Sequence, residues 1–278
     1  MDTDEQSAHK GDKQTVDALF DELEATAGRE QADAMREAVA SSPFLAGLLQ
    51  QARARDVLDH VVVSEQVNSD GHYDHDSRSV HVEKDILTRF HVEGRKGMLD
   101  RLTVVLAHET GHTLYTADGR DAVTVLDATV RNGISDGRQF GEPYLDLTSA
   151  VEQYRLDRRQ TEGYAELMAL NALSSRVNQE RTGSLDVTEF LKRAKANSNC
   201  VIYDDATKSH VFAEGLTLKP NGMIEGELHA SGPVNAAVAN SHFDGPASLG
   251  RRACPTIITT SACTPSRSSP MRCRKIAA

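Results

Sequence analysis

Two histidines four residues apart, His108 and His112, constrain this chain more than any other feature. They lie in the run Leu-Thr-Val-Val-Leu-Ala-His-Glu-Thr-Gly-His-Thr-Leu-Tyr, from Leu102 to Tyr115. Positions four apart share one face of an α-helix, so both imidazoles reach the same ion. Glu109 stands one step round the helix, where it can hydrogen-bond a water on that ion and act as its general base. Neutral imidazole suits a borderline-soft metal, and zinc in a catalytic site takes three protein ligands and keeps a fourth position for water. With eleven histidines in the chain the bare spacing can arise from composition. The apolar stretch Leu102 to Ala107 leading into it, and a small Gly111 leaving room for close approach, argue for a buried site instead.

The segment resembles the active-site helix of the zincin metallopeptidases, whose subgroups differ in their third ligand. Two candidates compete. Asp118 completes a spacing His-Glu-x-x-His-x-x-Tyr-x-x-Asp that is similar to the metzincin pattern. Tyr115, however, stands where metzincins turn at a glycine, and tyrosine resists a positive φ. No Met-turn is recognisable downstream. The second candidate lies in Gln160-Thr-Glu-Gly-Tyr-Ala-Glu-Leu-Met-Ala-Leu170, which resembles the second active-site helix of gluzincins and by that match implies Glu162 as the ligand. Glu166, four residues on, shares its face and is either a partner that orients a histidine or a solvated carboxylate.

What the resemblance implies is an α+β, zincin-like metallopeptidase fold with a small β-sheet lobe and a mainly helical one. Zn2+ in the cleft between them would be the cofactor, and a protein or peptide the substrate. Compact domains of this kind resemble protease effectors and toxins that bacteria export through specialised, signal-peptide-independent systems, and also cytoplasmic regulatory peptidases. The rival expectation is a non-catalytic zincin-like module that binds a protein partner around a structural metal.

The rest of the composition narrows the class. A formal net charge of −10 argues against nucleic acid as the main partner, since phosphate contacts need a basic surface. No apolar stretch approaches the roughly twenty residues of a membrane span. Met1 to Lys13 is acidic and polar where a secretory signal would be basic and then apolar. Of the four cysteines, Cys200, Cys254, Cys263 and Cys273, none forms a Cys-x-x-Cys pair, so reduced thiols are expected rather than a zinc knuckle or a disulfide framework.

Along the chain, residues 1–14 read as a disordered leader, 15–250 as the metallopeptidase-like unit and 251–278 as a disordered tail. Within the unit, 15–56 reads as a helical layer and 57–180 as the catalytic core. The layer holds three helices: one from Thr15 that stops at Gly28, one over Glu30 to Ala40, and one opened by Ser42-Pro43. His60 to Ser64 is expected to be a strand. Gly71 to Val82 is expected to be a hairpin turning near Asp76-Ser77 and to offer the sheet edge that takes substrate. His72, His75 and His81 in it suggest a second metal or, more simply, solvated rings. Asp85 to Phe90 reads as a short helix, Gly94 to Gly97 as a turn, and Asp121 to Val130 as a helix closed by Asn132-Gly133. Gly133 to Pro143 reads as a loop rimming the cleft. A long helix follows over Ser149 to Asn178, then one capped at Asp186.

Val201 to Tyr203 is a candidate strand, Phe212 to Leu228 a hairpin and Pro233 to Ala239 a small helix. Tyr154, Tyr164, Tyr203, His210 and His242 are candidate oxyanion stabilisers or structural residues. The tail from Arg251 carries six basic residues and no acid, a break that suggests an altered reading frame or a basic interaction tail.

Overall fold

The computed structural model describes residues 15–65, 69–88, 90–117, 122–140, 146–180, 185–224 and 232–244. The leader, the basic tail, Asp118 and three of the four cysteines lie outside these residues. The architecture is α+β, mostly helical with small sheets.

Helix α1 (Val16–Ala27) buries Leu19, Phe20 and Leu23, and Thr15 caps it by accepting the N–H of Ala18. Gly28, at φ 103°, ends it and leads directly into α2 (Arg29–Ala40). Helix α3 (Pro43–Ala54) starts at Ser42, whose hydroxyl accepts the Leu45 N–H and donates to the Ala172 carbonyl at 2.8 Å. One buried serine thus caps a helix and ties it to a segment far along the chain.

Strands β1 (His60–Ser64), β2 (Gly71–Asp74) and β3 (Ser79–Glu83) form a sheet in the order β1-β3-β2. Strand β3 runs parallel to β1 and antiparallel to β2. The β2–β3 turn is set by Asp74, whose carboxylate accepts from the Asp76 N–H and the Ser77 hydroxyl. Val61, Val80 and Val82 are buried on one face. That face packs toward the helices, while His72 and His81 meet on the other, ring on ring.

A short helix α4 (Lys84–Thr88) precedes α5 (Phe90–Ala117). Gly94, at φ 70° and ψ 169°, breaks the helical geometry inside α5. The expected turn is therefore this single break, and Gly97 is already helical. Met98, Leu99, Leu102, Val104 to Ala107, Leu114 and Tyr115 are all buried. A helix apolar on nearly every side belongs in the middle of a protein, and α5 is packed on by α2, α3, α4, α7, α8 and the sheet.

The expected loop at Gly133 to Pro143 is corrected over residues 133–140, and 141–143 lie outside the described residues. Helix α6 runs Ala122–Phe140, so Gly133 sits inside it rather than closing it. A stopping glycine adopts left-handed geometry, and Gly133 does not. Two helical glycines cost about 1 kcal/mol each relative to alanine, which packing against the next helix offsets. That helix, α7 (Thr148–Gln179), has an exposed first half beside α6 and a second half, Gly163 to Val177, buried in the core.

After α8 (Val187–Asn197), capped by Asp186, the hairpin also differs from expectation. It is formed by β4 (Val201–Asp204) and β5 (Ser209–Phe212). The stretch read as a hairpin over Phe212 to Leu228, of which 225–228 lie outside the described residues, turns at Gly222, whose N–H donates to the Lys219 carbonyl at 2.8 Å. Its internal pairing among the described residues is the isolated bridge Leu218 to Ile224, and the outward Ile224 N–H donates to the Asn171 side chain at 2.8 Å. The last helix, α9 (Pro233–Asp244), lies along α7. Among the described residues no helix is long and apolar enough to cross a membrane.

Candidate metal centre

Helices α5 and α7 touch where Gly111 has no side chain to keep them apart and Ala165 has only a methyl. A Cβ on Gly111 would come within 2.8 Å of the Ala165 backbone, so the helices meet this closely only because residue 111 is glycine. Gly111 lies between His108 and His112, and Ala165 lies between Glu162 and Glu166. The point of closest approach therefore sets the two pairs against each other. Gly163 plays the same part on the far side of α7, where a Cβ would run into Asn235 and Ala239 of α9.

The Nε2 atoms of His108 and His112 face each other at 3.1 Å. Oε2 of Glu162 lies 3.5 Å from His108 Nε2 and 3.6 Å from His112 Nε2. One ligand atom from each of the three falls within 4.8 Å of the others, and the group can hold a metal ion. Two ligands of one tetrahedral zinc with bonds of about 2.0 Å sit roughly 3.3 Å apart, so the donors fit such an ion with little movement. It is the one such cluster among the described residues.

His108 is held at both ring nitrogens. Its Nδ1 lies 3.5 Å from Oε2 of Glu166, a carboxylate that is 5% exposed and thus not solvated. A proton on Nδ1 turned to Glu166 leaves the Nε2 lone pair for an ion. Burial disfavours the charged ring, but the two carboxylates outweigh it and push the His108 pKa up to about 10. Burial likewise works against ionised Glu162, yet the two imidazoles hold its carboxyl well below the usual carboxylate range. Glu166, deeper still, is lowered against its burial chiefly by His108.

Glu109 is 7% exposed and abuts the edge strand. A Cβ on Gly71, the first residue of β2, would meet Val105 at 2.6 Å and Glu109 Cγ at 3.2 Å. The strand read as the substrate edge is thus placed beside the proposed base, and among the described residues β2 pairs with β3 alone.

Asp118 lies outside the described residues. The backbone before it continues as helix through Tyr115 to Ala117, without the sharp turn that a metzincin-like ligand arrangement implies. His72 and His81 stack with ring centroids 4.4 Å apart, and His75 leans on Tyr73. These three belong to no metal-binding cluster among the described residues. Tyr203 and His210 pair with each other across β4 and β5. Tyr154 lines a groove between α6 and α7. Tyr164 leans on Tyr115, and His242 packs its ring edge-on to Phe243.

Two features escaped the sequence reading. Arg158, one turn before Glu162, places Nη2 3.6 Å from Oε1, whereas the contacts to the histidines are made by Oε2. Its spacing from Glu162 was legible once that ligand was chosen. Cys200, buried behind Glu166, has its thiol pushed up by burial and by that carboxylate, which leaves it unreactive. Searches against protein-family models, curated proteins and solved structures return no match for this chain.

Proposed function

We propose that the chain is a zinc-dependent metallopeptidase built on a zincin-like fold, with a gluzincin-like ligand set of His108, His112 and Glu162. The observation that carries this reading is the meeting of three donor side chains from two distant helices at one point, with Glu109 next to them on the helix. Two imidazoles and one carboxylate form a donor set of the kind catalytic zinc sites use. When bound there, a zinc ion supplies Lewis acidity and lowers the pKa of a coordinated water toward neutrality.

The protein's own groups do the rest. Glu109 accepts the proton of the attacking water and passes it to the leaving amine nitrogen. Burial beside Gly71 restricts its rotation and keeps bulk water away. Glu166 fixes the His108 ring by its Nδ1 hydrogen, so that the ring does not have to be ordered when substrate arrives. Among the described residues β2 pairs with β3 alone, and its outer edge is the place for an extended peptide to align beside Glu109.

The test is Glu109→Gln in the full chain, assayed for bound zinc and for hydrolysis of a denatured protein. Zinc should stay stoichiometric while hydrolysis falls about 10²–10⁴-fold, the usual worth of a positioned general base. A variant that hydrolyses as fast as the parent would remove Glu109 as the base, and a zinc-loaded parent that hydrolyses nothing would point to the non-catalytic binding module instead. A parent that takes up no zinc at saturating supply would end the proposal.

A further inference from the structure

We propose that Arg158 is a positioning residue for Glu162: its guanidinium engages Oε1 so that Oε2 alone is presented to the ion. The inference rests on the metal-centre part of the reading above. The two oxygens of Glu162 are already divided in the structure. Oε2 faces both histidines at 3.5 and 3.6 Å, and Oε1 faces Arg158 Nη2 at 3.6 Å.

Helix stability does not account for the pair. Half of the Arg158 side chain is exposed, and solvent-exposed ion pairs contribute little to folding. The order is also the weaker one, since a cation placed before its carboxylate at this spacing opposes the helix dipole. The neighbouring arginine is committed elsewhere. Arg159 binds Asp244 and Asn240 and lies over the Phe243 ring. Besides the two histidines, Arg158 is the group that pairs with Glu162 among the described residues.

Holding Oε1 has two consequences. With an ion bound, it would restrain the Glu162 carboxylate to one orientation and so favour binding through Oε2. It would also draw negative charge away from Oε2, so that Glu162 would be a weaker donor to a bound ion than an unpaired carboxylate.

The experiment compares Arg158→Gln, Arg158→Lys and Arg155→Gln, each as the full chain. Zinc affinity is read by competition with a chromophoric chelator, and coordination by the visible spectrum of the cobalt(II)-loaded protein. Arg158→Gln should bind zinc about 10-fold more weakly, the lower end of what losing an outer partner costs, with an altered cobalt spectrum. Arg158→Lys should recover most of the affinity, and Arg155→Gln should match the parent in both readouts. Arg158→Gln binding zinc as tightly as the parent with an unchanged cobalt spectrum would overturn the proposal. So would an effect confined to KM for acidic peptides, which makes Arg158 a substrate contact. A parent that binds no zinc defeats the metal centre itself, whereas a zinc-binding parent with an indifferent Arg158→Gln defeats this inference alone.

Discussion

His108 is gripped from both sides, and that would make uptake of the proposed metal a proton exchange. With its pKa pushed up to about 10 in the metal-free protein, the ring is charged at neutral pH. It must shed a proton before its Nε2 can bind. Zinc binding at pH 7 is therefore expected to release about one proton from this residue, measurable by calorimetry in buffers of different ionisation enthalpy. The same shift sets the stability of the metal-free protein. A raised histidine pKa stabilises the fold fully below 6.5, and that contribution is lost as pH climbs from 6.5 through about 10. Glu162 has the opposite sign, its contribution being present above 4.5 and lost as pH falls below it. The melting temperature of the metal-free protein should accordingly decline on both sides of that window. Glu166→Ala removes the partner of Nδ1 and should weaken zinc binding about 10–100-fold, read by chelator competition.

At the scale of elements, the crossing of α5 and α7 at Gly111 is what makes one site out of two segments. Gly111→Ala must push the helices apart, at a cost of about 1–3 kcal/mol in urea denaturation, and should lower zinc affinity because the third ligand rides on the displaced helix. Gly47→Ala is the matched control. A Cβ there meets nothing within 4 Å inside α3, so the change should stabilise by up to about 1 kcal/mol. Much of this layer was legible from local signals. Ser42-Pro43, Gly28 and Asp186 are caps and stops whose effect is set by the residues themselves, and α1, α2, α3 and α8 follow them closely. The errors fell where the deciding contact is distant. Asn132-Gly133 looks like a helix end, but α7 packs alongside and the helix continues. Pro220-Asn221-Gly222 does turn the chain, but among the described residues the pairing that follows is the one bridge Leu218 to Ile224, and Ile224 is tied instead to the distant Asn171 side chain.

For the whole molecule, three helices converge on Asp100. Its carboxylate accepts from Arg176 Nε at 2.9 Å and from Arg193 Nε at 2.7 Å, and Arg193 reaches on to Glu180 at 2.7 Å. Asp100, Arg176 and Arg193 are all buried. Asp100→Ala leaves two buried guanidinium groups without their shared partner and should cost about 3–5 kcal/mol, read from the urea midpoint. None of this network was visible in the chain. A charged residue on a helix reads as surface unless its neighbours in space are known, and these partners come from α5, α7 and α8. The histidine pair was legible because four residues of helix suffice to bring it together. Glu162 needed a family resemblance, and its depth needed the fold.

Strand β2 has four residues, and no second partner for it is found among the described residues. An incoming polypeptide can follow such a rim for only about 13 Å. For a metallopeptidase, so brief a handhold reads little of the target's lettering. Selection would fall on pliability: slack, extended chains would be cut at many places, and tightly folded ones spared.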